Sequence, residues 1–240
     1  YVHVCNVSFK YKEDSDAVIN NLSFSLDSPG FYSFVGKNGC GKSTLAKLLV
    51  KLYDVDSGYM EINGIDYKNC SIDSLRENIT YIQKEDFFLN DTVYNNLSLA
   101  NERASSDDIY GACRMAGIDG FIDSLPDKYD TVVGEGGSTL SSGQRQKLNI
   151  ARALLKKSKI LIFDETTANL DGKSEKNVIS ILKEISRHSI VIFISHKVSS
   201  IVQSDRIFLM ENGSIVDSGT HEQLSKDNYT YRELFKYSNT

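Results

Sequence analysis

No apolar run in this sequence approaches the ~20 residues a helix needs to cross a bilayer. The longest, SIVIFIS at residues 189–195, has the length of a strand. An excess of positive charge is also missing. With 27 basic and 32 acidic side chains the net charge is −5, and the pI is near 5.4. Neutralising phosphates along a nucleic acid needs a basic surface, so no nucleic-acid partner is expected. The four cysteines, Cys5, Cys40, Cys70 and Cys113, show no C-x-x-C spacing, which argues against a zinc or disulfide framework and for reduced thiols. Residues 1–15 lack the basic start and apolar centre of a secretory leader. No repeat or low-complexity tract is visible. The chain opens on Tyr1 rather than Met, and the expectation is a domain cut from a longer protein.

What is present is ordinary globular chemistry: 240 residues, 40% hydrophobic and 25% charged, enough for one large domain with a subdomain. Val2 and Val4, then Leu22, Phe24 and Leu26, alternate with period two, which predicts strands with one buried face. FYSFVG at 31–36 reads as a buried strand, and KSTLAKLLVKL at 42–52 as a helix. Asn63-Gly64 and Asn212-Gly213, each between strand-like runs, predict two hairpins. From about residue 90 the pattern turns to short polar helical segments. From 159 it returns to apolar strands, KILIF and SIVIFIS, separated by a helix with Val178, Leu182 and Ile185 on one face. Fully apolar strands alternating with helices imply an α/β fold with a parallel sheet covered on both faces.

The sharpest signal is Gly36-Lys37-Asn38-Gly39-Cys40-Gly41-Lys42-Ser43-Thr44. It follows a strand and opens a helix, as the phosphate-binding P-loop requires. Its glycines let backbone N–H groups curl round a phosphate chain, and the helix start adds its positive end. Lys42 would reach the β- and γ-phosphates, and Ser43 would ligate Mg²⁺. Cys40 stands at a variable position of the loop and reads as filler. A second strand, Ile160 to Phe163, runs into Asp164 and Glu165. Asp164 suits the metal, and Glu165, one residue further, suits polarising an attacking water. His196 follows the next apolar strand at the equivalent end, beside the expected γ-phosphate, where it would donate to phosphate or water. His3, His188 and His221 have no such context and read as structural.

Together with Leu140-Ser141-Ser142-Gly143-Gln144 between them, these residues resemble the nucleotide-binding domain of ATP-binding cassette (ABC) transporters, over essentially the whole chain. The resemblance implies a P-loop core (1–84 and 158–240) with an N-terminal antiparallel β subdomain and a helical signature subdomain (85–157). Tyr11 matches the aromatic that stacks on adenine. Gln83 matches the glutamine that joins core to helical subdomain and senses the metal. Asp171, in Ala168-Asn169-Leu170-Asp171, matches the loop after the acidic pair. Implied cofactors are ATP and Mg²⁺, with Lys42, Glu165 and His196 catalytic and Ser43, Gln83 and Asp164 at the metal.

Ser141 and Ser142 can cap the following helix, with Gly143 and Gln144 in its first turn and Leu148, Ala151 and Leu155 anchoring it. Such a helix start suits an anion. The resemblance implies that it closes over the nucleotide of a second copy in a head-to-tail dimer. Ser142 replaces the family's first signature glycine. The acid pair lacks a following proline, Gly134-Glu135 precedes the signature, and the tail carries SGTHEQL and then YRELF; these are similar to exporters, with Gly136 where an arginine is usual. The expectation is an ATPase at the cytoplasmic face of a membrane, driving export through transmembrane domains that it touches through Gln83 and Glu135. An importer subunit, a soluble ABC ATPase and a non-hydrolysing ATP clamp are the alternatives.

Overall fold

The computed structural model describes residues 1–83 and 87–236. The strands are β1 (Val2–Phe9), β2 (Ile19–Leu26), β3 (Gly30–Val35), β4 (Ser57–Ile62), β5 (Ile65–Asp66), β6 (Ile79–Ile82), β7 (Ile160–Asp164), β8 (Ile190–Ile194), β9 (Arg206–Glu211) and β10 (Ser214–Gly219). The helices are α1 (Lys42–Leu49), α2 (Ile72–Asn78), α3 (Val93–Ser98), α4 (Ser106–Met115), α5 (Asp119–Asp123), α6 (Ser142–Leu155), α7 (Gly172–Ile185), α8 (Val198–Ile201), α9 (His221–Asp227) and α10 (Tyr229–Lys236).

Two sheets form. The larger runs β10-β9-β3-β8-β7-β6, parallel except for the β9–β10 hairpin; the smaller, β2-β1-β4-β5, is antiparallel. β3, β7 and β8 are buried at every residue, because helices or the second sheet cover both faces. One face carries α3 to α7 in a single apolar cluster that runs from Phe31 and Val35 through Ile109, Leu148 and Val178. The helical segment therefore shares a continuous core with the sheet. The other face packs α1 and the small sheet, with Phe34 stacked on Phe208 at 4.8 Å and edge-on to Phe24 of β2 at 5.1 Å.

Both Asn-Gly pairs make the expected hairpins: Asn63 and Gly64 have φ of 51° and 80°, Asn212 and Gly213 47° and 80°. That left-handed pair of residues matches strand twist. α1 is shorter than expected. It stops at Leu49 because Val50 leaves helical geometry and Lys51 turns left-handed at φ 55°. The expected boundary between core and helical segment at 84/85 lies outside the described residues.

Candidate functional site

The parallel register builds the site. Asp164 of β7 pairs with Ile194 of β8, and Phe34 of β3 pairs with Ile194 from the other side. Three strands thus end at one level, and the residues just past them, 36–44, 165 and 195–196, share a crevice at their carboxyl ends.

Beyond β3, Gly36 and Gly41 make the loop possible. A Cβ on Gly36 would lie 2.2 Å from the Met210 carbonyl oxygen and 2.7 Å from Cys40 Sγ. Gly41 caps α1 at φ 104°, a left-handed conformation that costs glycine little. The first-turn N–H groups of Lys42, Ser43 and Thr44 have no intrahelical partner and are available to an anion. Lys42 is buried, and its Nζ donates to the Gly36 and Lys37 carbonyls at 2.9 and 3.0 Å. Cys40 is buried, and its Sγ lies 3.6 Å from that ammonium. Lys37 and Asn38 line a hollow with Ser195 and His196. Gly39, at the loop's tip, would leave an added Cβ in open space.

Ser43 Oγ donates to Asp164 Oδ1 at 3.0 Å, across 121 residues. The other oxygen, Oδ2, accepts from the Tyr81 hydroxyl at 2.9 Å. Burial pushes the Asp164 carboxyl above its usual range, against the lowering pull of Tyr81 and Ser43. A buried carboxylate beside a hydroxyl is a hard-oxygen donor set that fits Mg²⁺, which takes one or two carboxylates and completes its shell with phosphate oxygens and water.

Sequence reasoning missed Tyr81; its signal was period two, which places it on the same face of β6 as Gln83. Gln83 itself is exposed beyond β6 and makes no hydrogen bond among the described residues. It faces a hollow with Tyr81 and Lys156, and the oxygen of Asp164 nearest to β6 is held by Tyr81. Tyr81→Phe should raise the Mg²⁺ concentration at half-maximal ATP-dependent stabilisation by roughly 10- to 100-fold, the usual cost of losing a residue that orients a ligand. A thermal-shift titration with Mg²⁺ at fixed ATP reads it, and an unmoved midpoint removes Tyr81 from the site.

Glu165 and His196 meet. Glu165 has a left-handed φ of 52°, its N–H donates to the Ile194 carbonyl at 3.0 Å, and its Oε1 lies 2.5 Å from His196 Nε2. Both side chains are about one-third exposed, so water reaches the pair. The sequence reading had His196 donating to phosphate or water; in the structure its partner is Glu165.

Tyr11 stands at the rim, half-exposed, with its hydroxyl 2.9 Å from Thr44 Oγ1. Its ring is edge-on to Phe9 and to Tyr53, at 5.0 and 5.2 Å. Tyr53 is a second aromatic at this rim that the sequence did not reveal.

The signature lies elsewhere. Ser141 caps α6 in a closed capping box: its Oγ accepts from Gln144 N–H at 3.3 Å while Gln144 Oε1 accepts from Ser141 N–H at 2.8 Å. Leu148, Ala151 and Leu155 are buried as anchors. Ser142 Oγ donates to the Asn169 carbonyl at 3.4 Å, and a Cβ on Gly143 would sit 3.0 Å from Ser174 Oγ. Asp171 caps α7 through Lys173 and Ser174, whose hydrogen bonds hold its carboxyl below the usual range. Among the described residues, no hydrogen bond joins 141–144 to the P-loop of the same chain. The helix start leans on the 169–174 loop instead.

Residues 19–168 match the family model described as ABC transporter. The ATP-dependent lipid A-core flippase of Haemophilus influenzae is 38% identical over 96% of this chain and 39% of its own length. P-glycoprotein 14 of Caenorhabditis elegans is 38% identical over 96% of this chain and 18% of its own. A solved bacterial Atm1-family ABC exporter with ATP bound superposes with a TM-score of 0.90 at 35% identity, over 97% of this chain and 41% of that one. The chain thus spans about two-fifths or less of these relatives. With its phosphate loop, its buried aspartate and its separate signature helix in one fold, the chain belongs to the ABC transporter family, as the ATP-binding domain.

Proposed function

We infer that this chain hydrolyses ATP to ADP and phosphate and thereby powers export across a membrane. The observation that carries the reading is the meeting of Lys42, Asp164 and the Glu165–His196 pair at the ends of three neighbouring strands. Lys42 and the N–H groups of α1 hold the β- and γ-phosphates, while Tyr11 receives the adenine. Ser43 and Asp164 hold Mg²⁺, which supplies charge neutralisation on the phosphate oxygens. Glu165 polarises the water that attacks the γ-phosphorus, and His196 fixes the orientation of its carboxylate. ADP leaves as the terminal P–O bond breaks.

Ser142 and its neighbours contact the 169–174 loop, and no hydrogen bond among the described residues joins them to their own P-loop, which supports a head-to-tail pair. In it the helix start of each α6 covers the nucleotide of the other copy, with Ser141, Gly143, Gln144 and Asp171 beside it. Phe87 is 72% exposed, with half-exposed Val132 and Leu89 nearby. The loops that carry them are joined: Gly136 N–H donates to the Phe88 carbonyl at 3.0 Å and Val133 N–H to that of Asp91 at 3.0 Å. With Glu135 exposed at its edge, this apolar patch supports docking of transmembrane domains, and the proposed location is the cytoplasmic face of the membrane.

Phe87→Ala in the intact transporter should lower transport by about 2- to 30-fold, the range for ~0.5–2 kcal/mol of coupling. Basal ATP hydrolysis should stay unchanged, because Phe87 is not among the residues read as holding the nucleotide or the metal. Paired transport and phosphate-release assays in vesicles read both. Undiminished transport would remove this patch from the coupling surface.

A further inference from the structure

Glu175 is a buried carboxylate that this mechanism leaves unused. It lies in the first turn of α7 and is 4% exposed. Its oxygens accept from Ser199 Oγ at 2.5 Å, Ser200 Oγ at 2.6 Å and Lys197 Nζ at 3.0 Å. Burial alone would push this carboxyl up, but Ser199, Ser200 and Lys197 outweigh it and hold it below the usual range. The Lys197 ammonium also donates to the Thr167 carbonyl at 3.3 Å and reaches that of Leu170 at 3.5 Å. Lys197 N–H donates to Ser195 Oγ at 3.1 Å.

One ion pair therefore touches both segments of the chemistry. Residues 165–171 begin at Glu165 and end at Asp171, and residues 195–200 carry His196 next to Lys197. As a device for stability alone such a pair is poorly chosen, since an apolar pair of similar volume is often as stable or more so. Placement is what a charged, multiply bonded contact adds: the ammonium has several carbonyl and carboxylate partners at set positions, and the residue before it is His196.

We propose that Glu175 and Lys197 are positioning residues whose ion pair holds His196 against Glu165. It does so by tying the His196 segment to the segment that follows Glu165. The proposal rests on the reading that Glu165 and His196 act in hydrolysis. Neither Glu175 nor Lys197 touches the reacting phosphate.

The test uses the intact protein, with steady-state ATP hydrolysis and thermal unfolding measured side by side. Glu175→Gln alone takes the counter-ion from the Lys197 ammonium, whose side chain is 36% exposed, and weakens the acceptor of Ser199 and Ser200, so both Tm and kcat fall. The neutral pair Glu175→Gln/Lys197→Met removes both charges and regains Tm. Its kcat stays about 10- to 100-fold low, the cost of misplacing a catalytic group by ~1 Å, with KM for ATP unchanged. Placed on His196→Ala, the neutral pair adds no further loss, because both changes remove the same arrangement. A neutral pair that regains Tm and turns over at the parent rate overturns the proposal, as does a loss that multiplies in full with His196→Ala. His196→Ala with undiminished turnover is a different result: it removes the Glu165–His196 reading, and the positioning role falls with it. If the neutral pair does not fold, Ser199→Ala takes its place by removing one donor and no charge. A lower kcat at constant KM supports the proposal there, and an unchanged kcat overturns it.

Discussion

Glu165→Gln should lower ATP hydrolysis by roughly 10²–10⁴-fold, the usual span for a general base, while leaving nucleotide binding intact. Glutamine keeps the size of the side chain, and its oxygen still accepts from His196 Nε2, which lies 2.5 Å from Glu165 Oε1. The left-handed backbone at residue 165 is no harder for glutamine than for glutamate, so the turn should persist. What is lost is the charge that polarises water. Lys42, Ser43 and Asp164 are untouched and continue to hold the nucleotide. Loss of a negative charge near the γ-phosphate also favours closure of two copies over their ATP. The variant should therefore accumulate as an ATP-bound dimer, visible by size-exclusion chromatography with ATP and Mg²⁺. Adding Ser142→Arg should abolish that dimer, because a bulky cation would stand at the helix start that we propose covers the opposite nucleotide. A Glu165→Gln protein that hydrolyses at the parent rate takes Glu165 out of the mechanism. One that stays monomeric at saturating ATP counts against the paired arrangement.

Lys42→Ala should weaken ATP binding by roughly 10- to 150-fold, as expected for losing one charged hydrogen-bond donor worth ~1.5–3 kcal/mol. Turnover should fall a further 10²–10³-fold or so, because the same ammonium stabilises charge that develops in the transition state. In the structure Lys42 Nζ is held by the Gly36 and Lys37 carbonyls, at 2.9 and 3.0 Å. The ammonium is thus already placed inside the loop, ready to exchange a carbonyl for a phosphate oxygen. Two measurements check this. Titration with a fluorescent ATP analogue reads affinity. The ATP-dependent rise in Tm, which follows from binding to the folded state alone, should shrink in parallel. Unchanged affinity together with unchanged hydrolysis would end the P-loop assignment.

Much of this site was legible before any coordinates, for a reason that particular residues make plain. Gly36 to Thr44 offer backbone N–H groups and a helix start, and both depend on neighbours along the chain. The Asn63-Gly64 and Asn212-Gly213 turns depend only on two φ angles each. The capping box of Ser141 and Gln144 closes within three residues. Period two and full apolarity marked β1, β2, β3, β7 and β8, because a strand's burial pattern is written in its own side chains.

Contacts between distant segments were not legible in that way. Tyr81 reaches Asp164 across 83 residues, and Glu165 reaches His196 across 31. Gln83 was matched to the metal by its place in a motif, whereas the hydroxyl on Asp164 belongs to Tyr81. Glu175 stood in a helix whose apolar face was recognised, yet its burial beside Lys197, Ser199 and Ser200 depends on how α7 lies against the segment after β8. The sequence by itself therefore determined the glycine loop before α1, the strands, the turns and the capped start of α6, since each is decided by interactions over a few residues. Only the tertiary structure decided which groups meet: the register that sets Asp164 beside Ile194 brings Glu165 to His196, and the packing of α6 on the 169–174 loop sets Ser142 against the Asn169 carbonyl. Register and helix packing are settled by the burial of the whole core, and no local stretch of chain contains that information.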